Sequence, residues 1–407
     1  MKVLVVTMYF PPAGGPGVQR PLKTAAHLTR LGFDVHVLAP DDPKWVHRDP
    51  SLQPPLGVAV HRARNLGPQA RLRAEALFGA RPFERLGTRA LVTLRRVLVP
   101  DASVLWNLTA IPAALSLVRR ERIDVVVTTS PPISVHFVGL AVKRATGARW
   151  VADLRDSFWS PDRRRHIRGE RVMARLVARR ADTITCATAG IAEEMRALRP
   201  GGAVQVIENA CDFEDFDGLE YRPGERFRLT HTGTFVGRRN ARPFFEALAR
   251  TDGSLVARFV GGLRPADARY VEELGVGDRL DVVPFQPRDR TLALQRDSEA
   301  LLLLLAEAGK AGRAILSAKL FEYLAAGRPI LAVVPPDGEA AALVRETGAG
   351  IVVAPDDVDG IAASLAELER RWREGELEAP ALSAELRARL SRRERAERLA
   401  ALLRGLA

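Results

Sequence analysis

Short apolar runs alternate with segments of helical spacing along most of the chain. Residues 3–7 form a β-branched apolar run, suited to a parallel strand buried on both faces. After a Gly/Pro stretch, Leu22, Ala25, Ala26, Leu28 and Leu31 recur at helical spacing and stop at Gly32. Residues 35–38, 124–128, 149–152, 183–185 and 204–207 predict further strands, with helical segments between most of them. The alternation lapses after Asn209. Residues 211–225 are acidic and turn-rich, end in Arg222-Pro223-Gly224-Glu225, and predict a linker. It resumes with strands expected at 229–232, 255–260, 280–283, 300–305, 330–334 and 351–353.

Repeated strand–helix–strand units predict an α/β protein with two Rossmann-like, doubly wound domains. The expected division is 1–210, a linker at 211–225, a second domain at 226–381, and amphipathic helices at 382–407, one of them crossing back onto the first domain. Residues 66–107 break the rhythm. There Arg71, Arg73, Arg81, Arg85 and Arg89 interleave with Leu72, Leu77, Phe78, Phe83 and Leu86. Basic and apolar residues mixed at helical spacing fit a membrane interface, and equally an insertion packed on the domain with arginine outward.

Composition narrows the class. The 407 residues, 47% hydrophobic and 27% charged, exceed one comfortable core. The densest apolar run, residues 300–306, is far short of the roughly 20 residues that cross a bilayer. The first residues enter a strand without the pattern of a signal peptide. Cys186 and Cys211 are the two cysteines, too few for a disulfide framework, so a cytoplasmic protein is expected. The charge of +12 is uneven: residues 1–200 hold 32 Lys/Arg against 16 Asp/Glu, or +16, and residues 201–407 hold 29 against 33, or −4. A basic first half suits an anionic acceptor or peripheral contact with the inner face of a membrane. Nucleic acid is not an expected partner, because no helix-turn-helix, zinc or aromatic-platform signature accompanies the charge.

Three loops follow predicted strands, where open α/β sheets bind ligands. Gly14 and Gly15 lie in the first, residues 11–17; glycines there admit a ligand close to backbone N–H groups and to a helix N-terminus. The second, residues 152–159, brings Asp153, Arg155, Asp156 and Trp159 together. Burying such charges is costly, so the loop is either an Asp–Arg clasp or an acceptor contact. No third carboxylate or histidine clusters locally, and a metal is not expected. The third opens with Ser317-Ala318-Lys319-Leu320-Phe321-Glu322 at the start of an apolar helix ending at Gly327. Its ammonium and carboxylate suit a ligand with phosphates and hydroxyls; the plain alternative is an i,i+3 ion pair.

Phe321-Glu322-Tyr323-Leu324-Ala325-Ala326-Gly327-Arg328-Pro329-Ile330 resembles the Glu-Ala-Met-Ala-x-Gly-x-Pro-Val segment of GT-B glycosyltransferases of the GT4-like group. In the same order as that family, the chain has the Gly14-Gly15 loop, the stretch Val206-Ile207-Glu208-Asn209-Ala210-Cys211-Asp212, the turn His231-Thr232-Gly233-Thr234-Phe235, and Phe259-Val260-Gly261-Gly262. The resemblance implies two Rossmann-like domains around a cleft, with the acceptor on the first and a nucleotide-diphosphate sugar as co-substrate on the second. Carried over by position, Gly233 and Thr234 approach the donor diphosphate, and Arg238 and Arg239 fall near the family's phosphate-binding lysine. Glu322 matches the second Glu of Glu-x7-Glu, which holds the ribose, and His136 sits where a histidine lies near the reacting sugar. Arg239, Lys319 and His136 are the expected catalytic residues.

Two positions depart from the pattern: Ala314 stands where the first Glu of that motif belongs, and Thr234 where an arginine does. Lys319, Arg313, Arg238 or Arg239 are candidates to supply the missing cation, and Glu307 with backbone amides at Gly309 and Gly312 to contact the sugar. The resemblance implies retaining transfer to a hydroxyl acceptor, without metal or resident cofactor. A GT-B epimerase acting on nucleotide sugars and a non-catalytic sugar-nucleotide or membrane-binding module are the alternatives.

Overall fold

A computed structural model describes residues 1–41, 48–67, 98–158, 167–233, 240–251, 254–305, 313 and 315–406, with Pro16, Ile167 and Arg168 as backbone only. The chain divides into two units, Met1–Glu208 with Arg392–Ala407, and Asn209–Ser391. Each is built on one parallel sheet.

The first sheet holds β1 (Lys2–Val6), β2 (Asp34–Pro40), β3 (Ala59–Ala63), β4 (Val125–Ser130), β5 (Arg149–Leu154), β6 (Thr183–Cys186) and β7 (Ala203–Val206). Its order is β3-β2-β1-β4-β5-β6-β7. Alternate side chains enter two separate cores: Val3 and Val5 join one, with Val35, Val37 and Val125, while Leu4 and Val6 join the other, with Leu38 and Val126. A strand buried on both faces must be apolar throughout, which is why these runs carry no polar alternation. β3 was not expected from the pattern. It is an edge strand whose residues Val60, His61 and Arg62 are not fully buried, so it lacks the apolar signal of its neighbours. Helix α1 (Pro16–Arg30) starts within the predicted Gly/Pro loop. Residues 104–106, placed within the expected insertion, form a turn that buries Trp106 and leads into α2 (Asn107–Glu121). The remainder of that segment, residues 68–97, lies outside the described residues, and with it most of the basic stretch considered for membrane contact.

The second sheet holds β8 (Arg228–Thr232), β9 (Val256–Val260), β10 (Leu280–Val283), β11 (Ala300–Leu304), β12 (Ile330–Val333) and β13 (Gly350–Val353), in the order β10-β9-β8-β11-β12-β13. β11 shows the same two-faced burial, with Leu302 and Leu304 on one core and Leu301 and Leu303 on the other. Both sheets reverse strand order beside their first strand, the point at which doubly wound sheets open a crevice for ligands.

Residues 211–225, the expected linker, make fixed contacts within the second unit. Phe216 is buried among Leu320, Phe321 and Leu324. Downstream, Gly224 N donates to Glu299 Oε1 at 2.9 Å, and Arg228 Nε to Glu299 Oε2 at 2.8 Å. Glu299 is fully buried just before β11, and a buried carboxylate must find donors; this segment and its continuation supply them. The C-terminal helices separate. Leu390, closing Ala384–Leu390, packs in the second unit, whereas Leu399, Ala400 and Leu403 of Arg392–Arg404 enter the core of the first. Among the described residues no helix is long and apolar enough to cross a membrane.

Candidate active site

In the first unit, β1 leads through Gly14, which is buried, to Gly15, the residue preceding α1. Gly15 has φ 92°, a conformation a side chain rarely adopts, so glycine is required for the chain to turn into the helix. One turn on, Arg20 reaches Asp153 at the end of β5, with Nε to Oδ2 at 3.0 Å and Nη2 to Oδ1 at 2.7 Å. Thr129 Oγ1 donates to Oδ2 at 2.7 Å and Thr185 Oγ1 to Oδ1 at 2.8 Å. Burial alone would raise the Asp153 pKa; Arg20 and the two hydroxyls hold it below the usual carboxylate range. Four donors occupy its lone pairs, so Asp153 acts as a clasp between β4, β5, β6 and α1.

The partner in that clasp is Arg20, not Arg155. Arg155 donates to backbone carbonyls instead: Nε to Ser130 at 2.7 Å, Nη1 to Gly17 at 2.7 Å and Nη2 to Pro131 at 3.3 Å. It thereby ties the first turn of α1 to the loop after β4. Asp156 is exposed, and Trp159 lies outside the described residues.

His136 opens α3 (His136–Thr146) and is wholly buried. Its Nδ1 lies 2.8 Å from Thr128 Oγ1, which also accepts from Trp150 Nε1 at 2.8 Å. Trp150 can only donate, and a Thr128 hydroxyl that in turn donates to Nδ1 goes with the Nε2–H tautomer. Nε2 has no hydrogen-bond partner among the described residues. Burial pushes the imidazole pKa down to about 3, against a weaker upward pull from Asp153. His136 is thus a neutral imidazole whose Nε2 is unengaged among the described residues.

In the second unit, β8 ends at Thr232 and the chain turns at Gly233, with φ 106°. A Cβ there would lie 2.8 Å from both Cε and Nζ of Lys319. The ammonium therefore sits directly over the glycine. Lys319 is in the first turn of α9 (Ala318–Ala326), capped by the Ser317 side chain. Behind it stands His231, whose Nδ1 is 2.9 Å from the Leu302 carbonyl and whose Nε2 is 3.3 Å from Lys319 Nζ. A carbonyl only accepts, so Nδ1 carries the proton and Nε2 offers its lone pair to the ammonium. One helical turn on, Glu322 bonds Arg288 at 2.7 Å. The i,i+3 pairing of Lys319 with Glu322 is replaced by these two separate partnerships.

Thr234, Arg238, Arg239, Glu307, Gly309, Gly312 and Ala314 lie outside the described residues. Arg313 is engaged in an exposed ion pair with Asp337 at 2.9 Å. Lys319, Glu322 and Gly233 are thus brought together at the carboxyl end of β8, beside β11, where the strand order reverses. Gly15, Arg155 and His136 gather at the equivalent end of the first sheet.

Residues 14–210 match the family model described as "Glycosyl transferase 4-like domain". That match lies within the first unit, apart from its last two residues. No curated protein matches the chain in sequence. Solved structures do match in fold along its whole length. Sucrose-phosphate synthase from Thermosynechococcus elongatus is 15% identical with a TM-score of 0.66, covering 100% of this chain and 98% of its own. Anabaena HepE, solved in complex with UDP and glucose, is 16% identical with a TM-score of 0.67, and both chains are covered completely. The UDP-forming α,α-trehalose-phosphate synthase from Burkholderia vietnamiensis is 14% identical with a TM-score of 0.61, covering 99% of this chain and 96% of that one. The architecture shared with these structures is the GT-B fold. In the first unit, the sequence pattern had not pointed to Arg20, Thr129 or Thr185 as partners of Asp153. The one available signal was three hydroxyls, Thr128-Thr129-Ser130, ending a strand otherwise made of valine.

Proposed function

We propose that the protein transfers a sugar from a nucleotide-diphosphate sugar to a hydroxyl acceptor, with retention of anomeric configuration and without a metal ion. The observation that carries this reading is the Lys319 ammonium, poised over Gly233 at a strand end where glycine leaves the backbone open, one helical turn from the Glu322 carboxylate. An ammonium and an N-capped helix start suit a diphosphate, and a carboxylate suits a ribose diol.

In the reaction, the bond from the anomeric carbon to the diphosphate oxygen breaks and a bond to the acceptor oxygen forms. The acceptor proton passes to the leaving phosphate. Negative charge grows on the diphosphate, where Lys319 stabilises it, with Arg239 as its expected partner. His136, neutral and with Nε2 unengaged among the described residues, orients a sugar or acceptor oxygen. With a pKa near 3 it is too weak a base to take the acceptor proton at neutral pH. The HepE complexes with UDP and with UDP-glucose support a nucleotide sugar as co-substrate. The basic first unit favours an anionic acceptor, such as one carrying phosphate or a lipid-linked diphosphate, met at the inner membrane face.

A calorimetric titration with UDP, ADP, GDP and TDP and their sugars tests the reading, repeated on Glu322→Ala and Lys319→Ala. Saturable binding of one nucleotide, weakened about tenfold or more in both variants, is the expected result. Failure of all four to bind the wild-type protein refutes it.

A further inference from the structure

Glu322 is held from a second element. Nη1 of Arg288, in the first turn of α8 (Arg288–Arg296), donates to Oε1 at 2.7 Å. The same guanidinium spends Nη2 on Asp215 Oδ2 at 3.0 Å, within the turn Phe213–Phe216. The Arg288, Glu322 and Asp215 side chains are only 14%, 15% and 19% exposed. Burial opposes the charge on Arg288, yet the carboxylates of Glu322 and Asp215 outweigh it and raise the guanidinium pKa. The other Glu322 oxygen, Oε2, has only a long contact, 3.4 Å from Nε2 of Gln295. Gln295 is wholly buried and donates to Thr232 Oγ1 at 3.0 Å, the residue before Gly233. One oxygen of Glu322 is therefore pinned and the other weakly engaged.

We infer that Arg288, braced by Asp215, is a positioning residue that fixes the Glu322 side chain with Oε2 presented to the ribose hydroxyls of the donor; this rests on the ribose-binding reading of Glu322. Two carboxylates flank the one guanidinium, so removing Asp215 frees a guanidinium N–H to pull Glu322 out of place. Removing Arg288 leaves Glu322 to rotate, and the directed acceptor is lost. The consequence is specific: Arg288 sets discrimination for the ribose diol, not the affinity for diphosphate.

Binding of UDP, ADP and GDP and of their 2′,3′-dideoxy counterparts is measured by calorimetry on the full chain. A hydrogen bond to a charged acceptor predicts that the wild-type protein prefers the ribonucleotide by about ten- to a hundredfold. In Arg288→Met this ratio falls to within about threefold of one, while dideoxynucleotide affinity holds. A purely structural role would weaken both ligands alike and keep the ratio, and that result overturns the proposal. Glu322→Gln separates the two readings: if it lowers the ratio and Arg288→Met does not, Arg288 is not the positioning residue. If Glu322→Gln leaves the ratio intact, the ribose reading itself falls, and the proposal with it. Should Arg288→Met fail to fold, Asp215→Asn reads the same ratio, expected to drop several-fold and overturning the proposal if unchanged.

Discussion

Burying a neutral histidine has a measurable cost in acid. His136 is fully buried and its pKa is pushed from 6.5 to about 3. In the unfolded chain it titrates near its ordinary value, so below about pH 6.5 the unfolded state binds a proton that the native state refuses. Native stability must therefore fall as pH drops through that window, levelling off only near pH 3. The size follows from RT ln(1 + 10^(pKa − pH)) for the unfolded state: about 2 kcal/mol is lost at pH 5 relative to neutrality. Other groups titrate too, but they cancel in a comparison with His136→Gln, which has no proton to bind. Urea unfolding followed by fluorescence, with buried Trp150 only 6.4 Å from the imidazole centroid, reports on this region. Between about pH 7.5 and pH 5 the wild-type protein should lose about 2 kcal/mol more than the variant. Equal losses would refute the argument, whatever the absolute stabilities.

Three further outcomes are expected. Gly233→Ala places a methyl group 2.8 Å from the Lys319 ammonium at φ 106°, and should weaken nucleotide-diphosphate binding at least tenfold by titration calorimetry while the second unit still melts cooperatively. Asp153→Asn removes the charge that faces Arg20, leaving a guanidinium whose side chain is 12% exposed without its counter-ion; about 3–5 kcal/mol of first-unit stability should be lost in urea. Leu302→Ala empties a fully buried position in the middle of β11, costing about 2–5 kcal/mol in the second unit and leaving the melting of the first unit unchanged.

The inner strands β1, β4, β5, β11 and β12 were legible because each is buried on two faces, a demand that apolar runs satisfy. β3 escaped notice for the converse reason: as an edge strand carrying His61 and Arg62, it reads as loop. The motif around Lys319 and Glu322 announced a helix start with the right chemistry, since N-cap, cation and carboxylate are all local. Their partners were not legible. His231 lies 88 positions from Lys319, and Arg288 lies 34 from Glu322; no local spacing links residues joined only by a crossover. The Asp153 loop misled in one respect. Arg155 is its neighbour in sequence, but strand geometry sends that side chain to backbone carbonyls, and the charge is met by Arg20 from 133 positions away. The composition of residues 211–225 gave no sign of what anchors the expected linker, because the fully buried carboxylate that recruits it, Glu299, is 75 positions downstream of Gly224.

The last helix, Arg392–Arg404, belongs to the unit that begins the chain: Leu399, Ala400 and Leu403 complete its core, and Arg404 caps the Leu31 carbonyl at 3.2 Å. The second unit is thus a guest spliced into a host. During synthesis the host emerges first but waits, with one side of α1 bare, for the whole guest to be made. The guest, its sheet contiguous in the chain, can fold at once. Loss of the final sixteen residues would then damage the unit farthest away in sequence, and a chaperone acting on the nascent chain would find its exposed apolar face near the amino terminus.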